Sequence, residues 1–304
     1  MAGGRREILE VDGPAAGERL DRFLARLLGA PRKAIKKALD GGQVFVDGRT
    51  VRRAGELLNG GETIRITLEE ASPPAPSPQP ELLYQDEELL ALAKPPRLPS
   101  HPTVAGGANA LDWVRAFLGR QGRAAAPILL HRLDADTSGV LLLALTTEAN
   151  RALAAAFADR EVEKVYLALV AGTPPDDFAV SNFLRPGRRG RIEAVRAGGQ
   201  PAETLFRTLA RQDGLALVEA RPQTGRTHQI RVHLAGAGYP ILGDRHYGGA
   251  TAVSIAGGVL PVPRHLLHAW KLGFRHPASG ERVVLEAPLP PDFEPFRSLT
   301  QARH

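Results

Sequence analysis

The sequence contains no cysteine. Disulfide frameworks, thiolate zinc sites, iron–sulfur clusters and a cysteine nucleophile are therefore excluded. A long apolar run is also missing, because the longest aliphatic stretch, Val140 to Leu145, is far too short to span a bilayer. The amino terminus, MAGGRREILEVDG, has no apolar core of the kind that a signal peptide carries. We therefore expect a cytoplasmic protein that does not enter a membrane.

Length and composition set limits on the domain organisation. With 304 residues, of which 43% are hydrophobic and 24% charged, the chain has the makeup of a globular protein with room for two domains. Residues 71–80, ASPPAPSPQP, contain five prolines and no apolar periodicity, as expected of an extended linker. We predict an N-terminal domain at 1–70, the linker at 71–80 and a larger domain at 81–304.

The N-terminal domain is predicted to hold two helices and a small sheet. The segment ERLDRFLARLL spaces its apolar residues at helical intervals, Gly29 can end that helix, and Pro31 suits the first turn of the next one. The segment QVFVDGRTV predicts a strand followed by a turn at Asp47 and Gly48, and ETIRITL predicts a further strand. A small α/β domain follows from this order.

Positive charge is concentrated in the same region. Residues 14–53 hold ten Lys or Arg against four Asp or Glu, so this segment carries +6, as much as the entire chain. Two lysines on a helix are most often a solvated face, but the arginines of the neighbouring loop favour a surface that neutralises RNA phosphates. The residues of this predicted basic patch are Arg32, Lys33, Lys36, Lys37, Arg49, Arg52 and Arg53.

This region resembles an S4 RNA-binding domain. The S4 pattern combines RLD and helical leucines with a basic second helix, the motif G-x-V-x-V-[ND]-G and a closing L-x-x-G-[DE]-x-I. The segments RLDRFLARLL, GGQVFVDGRTV and LLNGGETIRI match that pattern over most of residues 17–68. The resemblance implies a module that binds RNA.

Downstream of the linker, strands and helices are intermixed. Strands are predicted for ELLALAKP, VYLALVAG, TLFRTLA, LALVEARP and RVVLEAP. Helices are predicted for ALDWVRAFLGR and TEANRALAAAFADR, the second capped by Thr147. The regular alternation and the Gly-rich turn of a dinucleotide-binding fold are missing. We predict an α+β domain whose helices flank a central mixed, largely antiparallel sheet.

The segment HRLDADTSGVLLLAL places polar side chains directly before a buried strand. The apolar run after Gly139 has strand character, so His131, Arg132, Asp134 and Thr137 crowd a loop at the end of a core strand, where functional residues are common. A turn whose Asp and Thr side chains only satisfy backbone donors is an equal alternative from this loop alone.

A second polar segment, residues 223–248, is rich in cations. It includes Arg226, His228, Arg231 and His233, and cations are costly to bury unless they meet anions. A carboxylate of the first loop and RNA phosphates are natural partners. The histidines lack the spacing of a known zinc motif, and the arginines would repel a cation. We therefore predict no metal site.

Together these segments resemble the pseudouridine synthases of the large-subunit ribosomal RNA type, the RluA family. The signature H-R-L-D-x-x-T-S-G stands at His131 to Gly139, K-x-Y-x-A-x-V at Lys164 to Val170, and T-G-R-[ST]-H-Q-[IL]-R-x-H at Thr224 to His233. The stretch AKPPRLPSHP and the basic loop RPGRRGRIEAVR, residues 185–196, are individual to this chain. The resemblance implies an isomerase that converts uridine to pseudouridine in RNA, without a cofactor and without a required protein partner.

The resemblance also assigns roles to residues. Asp134 matches the catalytic aspartate, Tyr166 the tyrosine that packs on the target base, and Arg226 the cation that pairs with the aspartate. Arg132 matches the residue that fills the gap left by the flipped-out uridine, with His131 and Thr137 in the same active-site loop. A carboxylate suits the reaction because it can act as a nucleophile at C1′ or at C6, or accept the proton that C5 loses.

Other interpretations remain open at the level of sequence. Asp136 is assigned a structural role, because neighbouring loop carboxylates seldom reach opposite faces of a substrate. The substrate implied by the resemblance is large-subunit (23S) ribosomal RNA, and transfer RNA is the alternative. Two further alternatives are an S4 protein that binds RNA without catalysis and a hydrolase that cleaves N-glycosidic bonds.

Overall fold

The computed structural model of the chain describes residues 4–30, 32–69, 79–104, 106–123, 126–255 and 258–300. The chain divides into two compact units, residues 1–76 and 77–304. Residues 71–78 of the predicted linker lie outside the described residues. None of the described helices has the length and hydropathy that a bilayer span requires.

The N-terminal unit contains two helices and a four-stranded antiparallel sheet with the strand order β1-β4-β2-β3. Its elements are β1 Gly4–Glu10, α1 Leu20–Leu28, α2 Arg32–Asp40, β2 Val44–Val46, β3 Arg49–Thr50 and β4 Thr63–Glu69. Leu20, Phe23 and Leu24 of α1 are buried against the sheet residues Ile64 and Ile66. Helix spacing and strand alternation thus bring the apolar residues of both layers into one core.

The sequence-based turns of this unit agree with its geometry. Gly29 ends α1 in the left-handed conformation, with φ of 59°. Asp47 and Gly48 join β2 to β3 with φ of 47° and 80°, the pair of positive values that a tight hairpin turn requires. Pro31 lies outside the described residues.

The larger unit is built on an eleven-stranded sheet. In chain order, this unit begins with β5 Glu81–Gln85, β6 Leu89–Lys94, α3 Ala110–Arg120, β7 Ile128–Leu129, β8 Ser138–Ala144, α4 Thr147–Ala158, β9 Glu163–Ala171 and β10 Asp177–Pro186. The unit continues with β11 Ile192–Val195, β12 Gln200–Gln212, β13 Leu215–Pro222, α5 Gln229–Gly236, β14 Ala252–Ile255, β15 Gly258–Pro261, β16 Leu267–Arg275, β17 Arg282–Glu286 and α6 Arg297–Thr300. Strands β14 and β15 pair with each other in a separate two-stranded sheet. Short 3₁₀ helices occupy Gly13–Ala15, Arg188–Gly190 and Pro291–Phe296.

The strand order of the large sheet is β11-β10-β12-β13-β9-β16-β8-β6-β5, with β17 on β16 and β7 on β8. Every pairing among these strands is antiparallel except that of β16 with β8, which is parallel at His268 with Ser138 and at Ala269 with Gly139. The predicted α+β fold with a mixed, largely antiparallel sheet is confirmed. The single parallel pair joins the two halves of the sheet.

The structure differs from the prediction at two helices, and it adds strands that were not predicted, namely β1, β5, β7, β10, β11, β14, β15 and β16. Helix α4 is capped by Thr146, whose hydroxyl accepts the backbone N–H of Ala149 at 3.2 Å, and Thr147 is its first helical residue. A threonine caps a helix only from the extended residue before the first turn. Helix α5 was not predicted, because QIRVHLAG is short and most of its residues are buried, so a polar face is missing from its pattern.

Candidate active site

The parallel pair of strands brings the polar loop and the predicted tyrosine together. Residues 131–137 run into the first residue of β8, and Tyr166 of β9 pairs with Ala269 of β16. Gly139 permits the close approach of β8 to β16: it has φ of 118°, and a Cβ atom there would lie 2.1 Å from the carbonyl oxygen of Ala269. A glycine is therefore required where the loop enters the sheet.

A cleft of about 930 Å³ opens at this place. Its lining includes Asp134, Tyr166 and Arg132, together with Arg226, His228 at the N-terminus of α5 and Arg231 within that helix. Among the described residues that line it, Asp134 is the only carboxylate. The cations on the same lining are Arg132, Arg160, Lys164, Arg226 and Arg231. The cleft is thus suited to a polyanion.

Arg231 is the cation that pairs with Asp134. Its Nη1 donates to Asp134 Oδ2 at 2.8 Å, whereas Arg226 directs its Nε to the carbonyl oxygen of Pro201 at 3.2 Å. The predicted pairing of Arg226 with Asp134 is therefore wrong. The reason is α5, which begins at Gln229 and carries Arg231 on the helix, while Arg226 lies in the turn before it.

Arg231 is held on its other side by a second carboxylate. Its Nε and Nη2 donate to the two oxygens of Asp244, at 2.7 and 2.9 Å, a bidentate geometry that fixes the guanidinium plane. Arg231 is 5% and Asp244 1% exposed, against 28% for Asp134. Asp134 is thus the one member of this set that a substrate reaches easily.

Burial and charge shift the pKa values of Arg231 and Asp244 in opposite directions. Burial disfavours the charged form of Arg231, but the hydrogen bonds and the charge of Asp244, followed by those of Asp134, raise its pKa above the ordinary value. Burial likewise favours a higher pKa for Asp244, but Arg231 outweighs it and holds that pKa below its usual range. Both residues therefore stay charged.

His228 approaches Asp134 from the N-terminus of α5. Its Nε2 lies 3.6 Å from Asp134 Oδ2, and its Nδ1 lies 2.8 Å from the hydroxyl oxygen of Tyr247. The residue has φ of 54°, a conformation that costs energy for a side chain other than glycine and is found at functional sites. Burial lowers the pKa of His228 below its ordinary value, so the ring is neutral near pH 7.

Tyr166 lies in the cleft between two apolar clusters of the sheet. Burial, and to a smaller extent the charge of Asp134, raises the pKa of its hydroxyl well above the ordinary value. The phenol therefore stays protonated. It offers a flat apolar face and a hydroxyl donor beside the carboxylate.

The predicted loop residues take different positions. Arg132 is exposed on the cleft. The Nε2 of His131 accepts the backbone N–H of Leu142 at 3.1 Å, and burial lowers the pKa of His131 to about 4. Thr137 is buried, with its hydroxyl oxygen 2.8 Å from Nε2 of His265. His131 and Thr137 thus anchor the loop, while Arg132 faces the solvent side.

Two buried cations that the sequence did not single out hold the same loop. The Lys94 ammonium donates to the carbonyl oxygens of Pro95, Leu98 and Ala135 at 2.8–3.0 Å. Arg264 donates to the carbonyl oxygen of Asp136 at 2.8 Å and to both oxygens of Asp292. The contacts with Ala135 and Asp136 join residues that are 41 and 128 positions apart, so no local sequence signal predicts them.

The residues of the predicted basic patch in the N-terminal unit differ in exposure and in ion pairing. Lys36, Arg52 and Arg53 are exposed. Arg49 forms an ion pair with Glu56, so part of its charge is neutralised within the unit. Arg32, Lys33 and Lys37 belong to α2, but their side chains lie outside the described residues.

Comparison with known protein families gives two matches along the chain. Residues 88–236 match the RNA pseudouridylate synthase family, and residues 18–64 match the S4 domain. The first match contains Asp134, Tyr166 and Arg231, and the second contains the basic patch. Each unit of the structure thus has its own family match.

Curated relatives resemble the chain over nearly its whole length. The chain is 36% identical to the ribosomal large subunit pseudouridine synthase D of Xanthomonas campestris pv. campestris, over 95% of this chain and 90% of that protein. It is 34% identical to the ribosomal large subunit pseudouridine synthase C of Vibrio cholerae, over 98% and 97%.

Solved structures show the same fold. Human RNA pseudouridylate synthase domain containing 4 has a TM-score of 0.60 and 29% identity, over 72% of this chain and 93% of that chain. Human RNA pseudouridylate synthase domain containing 1 has a TM-score of 0.55 and 26% identity, over 75% and 89%.

Proposed function

The chain belongs to the RNA pseudouridylate synthase family, and on that premise we propose that it isomerises uridines of large-subunit ribosomal RNA with Asp134 as the catalytic carboxylate. One observation carries the assignment to Asp134. It is the sole carboxylate among the described residues that line the cleft, and Arg231 holds it at 2.8 Å while it stays 28% exposed. A fixed and reachable carboxylate is what nucleophilic catalysis needs.

The reaction conserves every atom of the nucleotide. The bond from ribose C1′ to uracil N1 breaks, the uracil rotates, and a bond forms from C1′ to C5. The proton on C5 then leaves to a base, and N1 gains one proton. In this proposal Asp134 acts as a nucleophile, at C1′ or at C6, or accepts the C5 proton.

Tyr166 and Arg132 are proposed to handle the base before and after the chemical step. A uridine stacked in RNA is inaccessible, so it must leave the stack, at a cost of a few kcal/mol. Tyr166 offers a face on which the uracil packs and a protonated hydroxyl beside it. Arg132 lies exposed on the cleft rim, where it can occupy the gap in the RNA stack.

Ribosomal RNA is proposed as the substrate from two observations. The relatives in Xanthomonas campestris and Vibrio cholerae are named as large-subunit enzymes and are similar to this chain along both of its units. The S4 match adds an RNA-binding module with exposed cations at Lys36, Arg52 and Arg53. Mapping pseudouridines in ribosomal and transfer RNA, from cells with and without the gene, tests this. Sites lost only from transfer RNA would contradict the proposal.

The assignment of Asp134 predicts loss of turnover without loss of binding. Asp134→Asn and Asp134→Ala should release no tritium from RNA carrying 5-tritiated uridine, while their RNA affinity stays within a few fold, because phosphate contacts supply most of the affinity. The measurements are tritium release and filter binding. Activity in either variant would refute the role of Asp134.

The same assay separates the other function classes. Wild-type protein that binds RNA but releases no tritium would be an RNA-binding protein without catalysis. Free uracil among the products would indicate cleavage of the N-glycosidic bond instead of isomerisation.

A further inference from the structure

Lys164 is a half-buried cation in the cleft for which no carboxylate partner lies at ion-pair distance among the described residues. It stands at the second position of β9 and lines the cleft together with Tyr166. The adjacent carboxylate, Glu163, is engaged elsewhere: it accepts hydrogen bonds from Arg221 at 2.6 Å and from Arg282 at 2.7 Å. Glu163 is therefore not the partner of Lys164.

A second cation stands beside Lys164. Arg160 is exposed, has φ of 62° and lines the same cleft. Burial, followed by the charge of Arg160, lowers the pKa of Lys164 below its ordinary value, because both disfavour the charged ammonium. A smaller cavity of about 180 Å³ also lies against both residues, but Glu161 and Glu163 line it too, so the larger cleft is the place where the two cations face no carboxylate nearby. The charges are thus arranged for an anion that the chain itself does not supply at this side of the cleft.

The position of Lys164 relative to Tyr166 indicates what the anion is. Residues two apart on a strand point to the same face, about 6.6 Å from each other, and both side chains reach the cleft. An anion held by Lys164 would thus lie about one nucleotide away from a uracil on Tyr166. In RNA, the group at that distance is a phosphodiester.

We propose that Lys164, assisted by Arg160, binds the phosphodiester next to the target uridine and so fixes the register of the RNA strand in the cleft. The inference rests on the proposed function. Lys164 is a substrate-binding residue in this scheme and takes no part in the chemical step. A contact of this kind exists before and during the reaction, so its loss should raise KM more than it lowers kcat.

Lys164→Met tests the contact with a short RNA that the wild-type protein isomerises. We expect KM to rise about tenfold, the size of a lost charge-assisted hydrogen bond, with kcat changed less than about twofold. The dependence of the RNA affinity on salt should fall by about 0.7 to 1 in log–log slope. Lys164→Arg should retain most of the wild-type KM because it keeps the charge.

Lys271→Met is the matched control. Lys271 lies on the neighbouring strand β16, forms an ion pair with Glu286 at 3.1 Å and lines neither cavity. This variant carries the same change of charge and should leave KM within about twofold of wild type. Thermal unfolding of both variants checks that they are folded.

An uncharged methylphosphonate linkage, placed on either side of the target uridine in separate RNAs, identifies the phosphate. At one of the two positions the wild-type protein should lose as much affinity as Lys164→Met loses on normal RNA, and the variant should lose nothing further. A penalty of Lys164→Met that stays the same on both modified RNAs would overturn the proposal, as would an unchanged KM on normal RNA.

Failure of the proposed function has a different signature. A wild-type protein that forms no pseudouridine in any RNA would refute the function itself. An active wild-type protein together with an unchanged KM in the Lys164→Met variant would refute only the phosphate contact. Should Lys164→Met not fold, Lys164→Gln together with the response of the wild-type protein to the two modified RNAs decides the same question.

Discussion

The guanidinium of Arg231 forms ion pairs with two carboxylates, those of Asp134 and Asp244. Asp244 takes two donors of Arg231 and is 1% exposed, so it acts as the anchor. A third donor is then left for Asp134. Because the anchor is rigid and bidentate, the position of the Asp134 carboxylate is set before RNA arrives, and preorganisation of this kind is how an active site avoids rearrangement during the reaction.

Removing the central cation should be costly to the fold. Arg231→Met leaves Asp244 buried without its charge partner, and we expect the free energy of unfolding to fall by about 3–5 kcal/mol. Arg226→Met is the matched control, since the Arg226 guanidinium donates to the backbone carbonyl oxygen of Pro201 and forms no ion pair among the described residues, and the change should alter stability by less than about 1 kcal/mol. Urea unfolding of the two variants measures both values, and equal losses would contradict the assignment of Arg231 as the pairing cation.

At the level of elements, the site depends on the contact between β8 and β16. These strands form the parallel pair of the large sheet, and the loop with Asp134 leads directly into β8. The side chains of Lys94 and Arg264 donate hydrogen bonds to the backbone carbonyl oxygens of the loop residues Ala135 and Asp136. The loop is thus held by the sheet junction and not by its own sequence.

Gly139→Ala should open this junction. The new methyl group would lie 2.1 Å from the carbonyl oxygen of Ala269 at a φ of 118°, so the strands must separate, at a cost of at least about 2 kcal/mol in stability, and turnover should fall with it. Gly119→Ala is the control: it lies on the exposed side of α3 with no atom near its Cβ position, and it should gain up to about 1 kcal/mol. Thermal unfolding and tritium release are the measurements. A fully active Gly139→Ala variant would show that the close approach is dispensable.

For the whole molecule, the N-terminal unit is predicted to supply affinity and the larger unit the chemistry. Lys36→Ala and Arg52→Ala remove exposed cations and should each weaken RNA binding and lower its salt dependence by about one unit of log–log slope, with kcat preserved. Arg26→Ala is the control, because Arg26 is already paired with Glu18 at 2.7 Å and lies outside the basic patch. Filter binding at several salt concentrations measures the effect. Equal behaviour of all three variants would argue against the patch as the RNA surface.

Buried neutral histidines should make the free energy of unfolding decrease as the pH falls. Burial lowers the pKa of His233 to about 4 and that of His265 to about 3. Since these values lie below that of an unfolded histidine, about 6.5, the unfolded chain binds more protons between the two values. The stability that these residues contribute is therefore complete above about pH 6.5 and is lost as the pH falls toward the folded values.

His233→Gln tests this at a residue that is fully buried between Thr204 and Asn182. In the wild-type protein each such histidine should lower the free energy of unfolding by about 1.4 kcal/mol per pH unit between pH 6 and 4, and the variant should lose one such contribution to the slope. The exposed His101 provides the control as His101→Gln. Urea unfolding at a series of pH values measures the slopes, and identical slopes in all three proteins would be inconsistent with a neutral buried His233.

The sequence by itself determined many of the helices and strands and the position of the polar loop that carries Asp134. These features depend on local patterns: helical spacing in α1 and α3, the Asp47-Gly48 turn, the apolar run of β8, and long motifs whose residue types are set by chemistry. The resemblance to a family of RNA-modifying enzymes followed from the same local stretches, and the family match bears it out.

Only the tertiary structure decided which residues meet. Both Arg226 and Arg231 lie in one motif, and nothing local distinguishes them; the start of α5 at Gln229 places Arg231, not Arg226, against Asp134. Asp244, Lys94 and Arg264 join the site across many residues of sequence. A contact between distant segments depends on how strands pair and helices pack, and a sequence pattern, which records only neighbours along the chain, does not contain that information.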